Sequence, residues 1–136
     1  MPLFADAVLV DVVRTQILSA AATFGLDLTT YCFMPDHAHL LVEGNASDAG
    51  SLPAFVKDAK QRSGYHGRRI CRVRVWQPGY FERVLRDSET SHEVIAYIIG
   101  NPVRAHLVQH PREYRFIGSS RYSLEQLLEF AQVRPT

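Results

Sequence analysis

The spacing of apolar residues predicts a helix followed by a β-hairpin at the start of the chain. In residues 5–24 apolar side chains recur at close to helical spacing, and Gly25 follows where a C-cap is expected. Residues 26–34 are rich in β-branched and aromatic side chains, and Pro35-Asp36 is a turn-forming pair before the apolar run of residues 37–43. An amphipathic helix and two antiparallel strands are therefore expected.

A second helix and a third strand are predicted after the hairpin. Residues 44–50 are small and polar, as in a loop, and residues 51–62 are compatible with a helix. Gly64 and Gly67 interrupt that pattern. Residues 68–76 then alternate arginine with apolar side chains, which is typical of a half-exposed strand with its arginines along one side.

The remaining patterns complete an α+β arrangement. We expect a strand at residues 80–86, a helix that begins at Asp87 or Ser88 and ends at Asn101-Pro102, and a final helix at residues 123–132. This order favours a single domain over residues 1–136, in which helices cover one face of an antiparallel sheet. The other face of the sheet is then left for a ligand.

Composition narrows the class of protein without naming a function. The 136 residues are 46% hydrophobic and 21% charged, which is ordinary for a soluble globular domain. No run approaches the roughly 18 apolar residues of a membrane span, so no membrane partner is expected. Cys32 and Cys71 lack CxxC spacing, which argues against a zinc ribbon or a disulfide framework and favours a reducing cytoplasm.

The charged residues are concentrated in one segment. The formal net charge is only +1, but residues 57–74 contain seven Lys and Arg residues and the single acid Asp58, a local charge of +6. Such a patch suits nucleic-acid phosphates, although a solvated helix face is the commoner reason for a charge run. Tyr65 and Trp76 are candidates for stacking on bases, and Trp76 equally suits the core. The basic residues are Lys57, Lys60, Arg62, Arg68, Arg69, Arg72 and Arg74.

His37 and His39 form a candidate metal-binding pair. On a strand, residues two apart point to the same face, about 7 Å apart along the backbone. Two such imidazoles can chelate one divalent ion. An isolated pair of this kind is more often a surface or core feature, so the spacing alone is weak evidence.

Tyr97 and Asn101 share one face of a predicted helix because they are four residues apart. A carboxamide oxygen is a hard, neutral metal ligand, and a phenol one turn away could act as a nucleophile. The alternatives are that the tyrosine belongs to the core and that Asn101, before Pro102, is only a helix stop.

Several strings of the sequence together resemble one known family. YCFMPDHAHLLVEG resembles the MPNHVHLLV signature of the single-tyrosine HUH transposases, the insertion-sequence-200 type that includes the REP-associated tyrosine transposases. WQPGYFERVLRDSE, YIIGNPVRAHLV and YRFIGSS follow in the family's order. They are similar to its tryptophan-containing strand, its YIxxNPVRAGLV helix and its serine-pair segment. The resemblance covers about residues 5–122.

The resemblance implies a ferredoxin-like fold and a role for four residues. His37 and His39 would be the paired metal ligands, Asn101 the third ligand and Tyr97 the nucleophile. The implied reaction is nicking and joining of single-stranded DNA through a 5′-phosphotyrosine, with a divalent metal, Mg or Mn. The implied substrate carries a hairpin or palindromic repeat, and the protein would act as a monomer or homodimer at the nucleoid of a bacterial cytoplasm.

The chain departs from the family pattern at four places. Asp36 replaces the usual Asn, Ala38 a branched residue and His106 a Gly, and none of these changes removes a catalytic group. Family members generally carry a strand before the first helix, and we expect the sheet to lack it here.

Two alternatives stay open: an inactive or domesticated nucleic-acid-binding module of the same fold, and a metal phosphodiesterase in which water attacks instead of Tyr97.

Overall fold

The computed structural model of the chain describes residues 3–44, 51–76, 81–85 and 91–132. Helices and strands are interspersed in it as an α+β fold, with short 3-10 turns at Leu3–Ala5 and Pro111–Glu113. None of the described helices is long and apolar enough to cross a membrane. The helices are α1 (Ala7–Thr23), α2 (Ser51–Cys71), α3 (Ser91–Arg104) and α4 (Leu124–Phe130), and the strands are β1 (Asp27–Met34), β2 (His37–Glu43), β3 (Phe81–Leu85) and β4 (Ile117–Gly118).

The predicted first helix and hairpin are confirmed. Asp6 caps α1 by accepting hydrogen bonds from the backbone N–H groups of Val8 and Leu9. Gly25, at a φ of 67°, turns the chain after the helix, in the left-handed conformation that glycine adopts without steric cost. The strands β1 and β2 then pair antiparallel around the Pro35-Asp36 turn.

The sheet has four strands in the order β3-β2-β1-β4. The prediction of an antiparallel sheet holds for β2, β1 and β4, while β3 pairs parallel to β2. The helix α2 explains the difference, because two parallel neighbours need a crossover connection and α2 supplies it.

Helices lie on both faces of the sheet. All the helices were predicted on one face; α1 and α2 share a face, where they pack on alternate residues of the hairpin such as Phe33 and Leu40. The helices α3 and α4 form a second layer around Cys32 and Leu41, which the sequence analysis did not anticipate. The burial of β1 agrees with helices on both faces of the sheet. Seven of its eight residues are buried, as expected for a strand covered on both sides.

The predicted boundary of the second helix was wrong. The helix α2 continues through Gly64 and Gly67 to Cys71, and residues 72–76 return along it without forming a strand. The two glycines are sites of close packing: a Cβ at Gly67 would lie 2.4 Å from Val75 Cγ2, and one at Gly64 would lie 3.4 Å from Trp76 Cδ1. They let the returning segment pack against the helix backbone.

Candidate active site

The two histidines of β2 face the layer formed by α3. His39 shares its face of the strand with Leu41, which packs against isoleucines of α3. The Nε2 atoms of His37 and His39 are 2.7 Å apart, close enough for one ring to donate a hydrogen bond to the other. His39 is only 5% exposed, whereas His37 lies nearer the surface. The predicted pair is therefore brought together with its nitrogens converging.

Asp36 fixes the orientation of the His37 ring. Its Oδ1 atom lies 2.6 Å from His37 Nδ1, so the carboxylate accepts that N–H group and leaves Nε2 of the ring directed at His39. Metal-ligating histidines commonly have such a carboxylate partner on their second nitrogen. In the sequence Asp36 appeared only as a departure from the family's Asn. The signal for its role was an acid directly before the histidine in the turn.

The structure places Tyr97 beside the histidine pair. Its ring centroid is 6.3 Å from that of His39, and its side chain is 47% exposed. The helix α3 is held over the sheet by Ile95, Ile98 and Ile99, so the tyrosine is an accessible group and does not belong to the core. Asn101 follows one turn later and is half-buried.

Arg104 is a site residue that the sequence analysis missed. The helix α3 does not stop at Asn101-Pro102: Pro102 lies inside it, and the Ala105 N–H donates to the Asn101 carbonyl at 2.9 Å. Arg104 folds back along the helix and donates from Nη2 to Asn101 Oδ1 at 2.6 Å and to the Tyr97 carbonyl at 2.5 Å. Its guanidinium carbon lies 4.2 Å from the centre of the Tyr97 ring. The spacing of seven residues was the available signal.

The two histidines could hold a divalent ion only if an amide oxygen completes the set of ligands. Among the described residues no group of three or more His, Cys, Asp and Glu could hold a metal. Cys32 pairs with His39 across the strands, but burial raises the pKa of its thiol to about 12 and keeps it protonated. The remaining candidates are the converging Nε2 atoms of the histidines and the Asn101 carboxamide oxygen.

Six of the seven predicted DNA-binding residues are exposed on α2 and the segment after it. Arg62 is the exception, because it pairs with Asp58 at 2.9 Å and donates to Ser19 of α1 at 3.3 Å, which ties the two helices together. A shallow pocket of about 350 Å³ lies among the exposed arginines; its lining consists of Gly64, Tyr65, Arg68, Arg74, Val75 and Trp76. The exposed residues are Lys57, Lys60, Arg68, Arg69, Arg72 and Arg74.

The basic residues and the tyrosine do not share one surface. The helix α2 packs with α1 on one face of the sheet, and α3, which carries Tyr97, packs on the other. The structure thus brings together His37, His39 and Tyr97, with Asn101 one turn away, and keeps the basic patch on the opposite side.

Comparison with known proteins gives one finding. The sequence model of a family described as "Transposase IS200 like" matches residues 2–101, which include both histidines, Tyr97 and Asn101. No curated protein and no solved structure matches the chain.

Proposed function

Because the chain belongs to the IS200-like transposase family, we propose that it cuts and rejoins single-stranded DNA by transesterification, with Tyr97 as the nucleophile. A divalent metal ion, Mg or Mn, would be held by His37, His39 and Asn101. The family supports action on DNA as a transposase. The substrate class, the tyrosine mechanism and the metal are our proposal, and the site geometry supports them.

One observation carries the proposal: an exposed phenol lies next to two imidazoles whose nitrogens converge. The Tyr97 ring is 6.3 Å from His39, and the two Nε2 atoms are 2.7 Å apart. A tyrosine with only a packing role would be buried among the isoleucines of α3. Instead its ring stands clear of them, where an extended DNA strand could reach it.

The reaction conserves the phosphodiester energy. The Tyr97 oxygen, after losing its proton to solvent, attacks a DNA phosphorus and forms a 5′-phosphotyrosine. The bond from phosphorus to the 3′ oxygen breaks, and that oxygen takes up a proton as a free 3′-hydroxyl. Attack by a 3′-hydroxyl on the phosphotyrosine reverses the step and joins strands.

The residues around the tyrosine would each support this step. A metal ion bound at the site would neutralise charge that develops on the phosphate oxygens. His37 and His39 would offer Nε2 to it, with Asp36 keeping the His37 ring in place. Asn101 would contribute its carboxamide oxygen. The nearly complete burial of His39 keeps water away from one side of the site.

Replacing Tyr97 by Phe tests the nucleophile. We expect Tyr97→Phe to abolish covalent adducts with a single-stranded oligonucleotide that carries a palindromic repeat, because the attacking oxygen is removed. DNA binding should persist, since the ring and the basic patch remain. Adducts are measured on denaturing gels and binding by fluorescence anisotropy.

A matched control and two rival outcomes complete that experiment. Tyr65 is also exposed, at 59%, and Tyr65→Phe removes a phenol oxygen but keeps the ring that could stack on bases, so this variant should form adducts as the wild type does at saturating oligonucleotide. Undiminished adduct yield in Tyr97→Phe would refute the assignment. Cleavage without any adduct would favour a hydrolytic phosphodiesterase, and wild-type binding without cleavage would favour a DNA-binding module of the same fold.

A further inference from the structure

Four residues of α3 form a stripe on one side of the helix. The stripe begins at Tyr97 and continues with the residues three, four and seven positions later, which are Gly100, Asn101 and Arg104. This spacing aligns the four residues along one face of the helix. The Arg104 side chain runs back over Gly100: a Cβ at residue 100 would lie 2.7 Å from Arg104 Nη1. Glycine therefore leaves the space that the guanidinium occupies beside the helix.

The Arg104 guanidinium has binding capacity left. It carries five N–H donors, and its contacts to Asn101 Oδ1 and to the Tyr97 carbonyl are both made by Nη2. Within the described ranges, no residue accepts a hydrogen bond from Nη1 or Nε and no carboxylate pairs with this arginine. An exposed, uncompensated cation thus lies over the ring of the proposed nucleophile.

We propose that Arg104 binds the phosphate that Tyr97 attacks and holds the tyrosine ring against the histidine pair. This inference rests on the proposed function of Tyr97. A planar guanidinium binds phosphate oxygens through parallel N–H groups, and negative charge on those oxygens grows as the phenol oxygen approaches. The contacts of Arg104 with Asn101 Oδ1, with the Tyr97 carbonyl and with the Tyr97 ring would keep these two residues aligned along the helix. An arginine that only capped the carbonyls of the last turn would do neither of these things.

Three variants separate the phosphate role from a structural one. Arg104→Ala removes the guanidinium, and Arg104→Lys keeps the charge but loses the planar donors. Gly100→Ala retains the arginine and displaces its flexible end, while alanine favours the helix more than glycine does. The control is Arg115→Ala, because Arg115 is also exposed and lies 5.2 Å from an aromatic ring, that of Phe116, which packs against the cluster that contains α1 and α2.

The first measurement is the rate of adduct formation at saturating oligonucleotide. We expect a loss of about 100-fold in Arg104→Ala, the usual effect of removing one donor to a developing oxyanion. The loss should be smaller in Arg104→Lys and Gly100→Ala, and absent in Arg115→Ala. Guanidinium ion at millimolar concentration should restore part of the rate to Arg104→Ala and none to Tyr97→Phe. A wild-type rate in Arg104→Ala would overturn the proposal.

The second measurement does not depend on catalysis. With ring-labelled tyrosine, the NMR signal of Tyr97, assigned by its absence in Tyr97→Phe, should shift when the dinucleotide thymidylyl-thymidine is added. The shift should disappear in Arg104→Ala and persist in Arg115→Ala. If it persists in Arg104→Ala, the proposal fails even where adducts form. If it disappears but the wild type makes no adduct, the phosphate site stands and the proposed reaction fails.

Discussion

At the scale of single residues, Asp36 shows how one substitution can change the proposed metal site without replacing any of its proposed ligands. The family's usual Asn could donate or accept at this position, whereas a carboxylate only accepts and so holds the His37 Nδ1–H group. That contact leaves Nε2 as the nitrogen that would bind the proposed metal ion. The family resemblance implied that His37 would be a metal ligand. The role of Asp36 as its partner follows only from the contact between the two side chains in the turn.

Replacing Asp36 by Asn should weaken metal binding. We expect the dissociation constant for Mn²⁺ to rise about tenfold, because partners of metal-ligating histidines commonly contribute that much to affinity. Calorimetry or the Mn²⁺ electron paramagnetic resonance signal measures it without any DNA. The control is Asp11→Asn, whose exposed carboxylate pairs with Arg14 on α1. Equal affinity of Asp36→Asn and wild type would show that the carboxylate does not orient the ring.

At the scale of elements, sequence patterns predicted α1, the β1–β2 hairpin and β3, and failed where tertiary packing outweighs local propensity. Gly64 and Gly67 resemble helix breakers in sequence, yet α2 passes through both because the returning chain packs on them. Asn101-Pro102 resembles a helix stop, and α3 continues past it by two residues, to Arg104. The latter error hid Arg104, which only a longer helix brings back to Tyr97.

The two glycines of α2 should respond oppositely to alanine. At Gly67 a Cβ would overlap Val75 Cγ2 at 2.4 Å, so Gly67→Ala should lower the free energy of unfolding by about 1–3 kcal/mol through overpacking. At Gly64 the nearest atom, Trp76 Cδ1, is 3.4 Å away. Gly64→Ala should therefore be neutral or stabilise by up to about 1 kcal/mol through helix propensity. Urea denaturation compares them, and equal effects would contradict the proposed packing.

At the scale of the whole molecule, the two candidate DNA contacts lie on opposite faces of the sheet. Two of the exposed cations, Arg68 and Arg74, line the pocket that contains Trp76. Tyr97 is an exposed residue of α3, in the helical layer on the other face. A DNA strand that reaches both must pass around an edge of the sheet. We therefore expect the two surfaces to control different quantities. The basic patch should set the affinity for DNA, and the α3 stripe should set the rate of the reaction.

Neutralising the patch tests this separation. Replacing Arg68, Arg69, Arg72 and Arg74 by Gln should weaken oligonucleotide binding and flatten its salt dependence by about 0.7 in logarithmic slope per lost phosphate contact. Trp76 is the only tryptophan and lines the pocket, so its fluorescence reports binding there directly. The control with the same charge change replaces four arginines outside α2, the half-buried Arg14 and the exposed Arg112, Arg115 and Arg121.

The rate at saturating oligonucleotide distinguishes a binding surface from a catalytic one. In the patch variant this rate should stay near wild type once the higher concentration restores occupancy, because none of the four arginines lies on the face that carries Tyr97. Arg104→Ala should show the opposite profile, a slow reaction with DNA affinity largely retained. The opposite result is that the patch variant binds DNA as tightly as the control variant, with an equal salt slope. The patch would then be only a solvated surface, and the DNA would have to follow the α3 face alone.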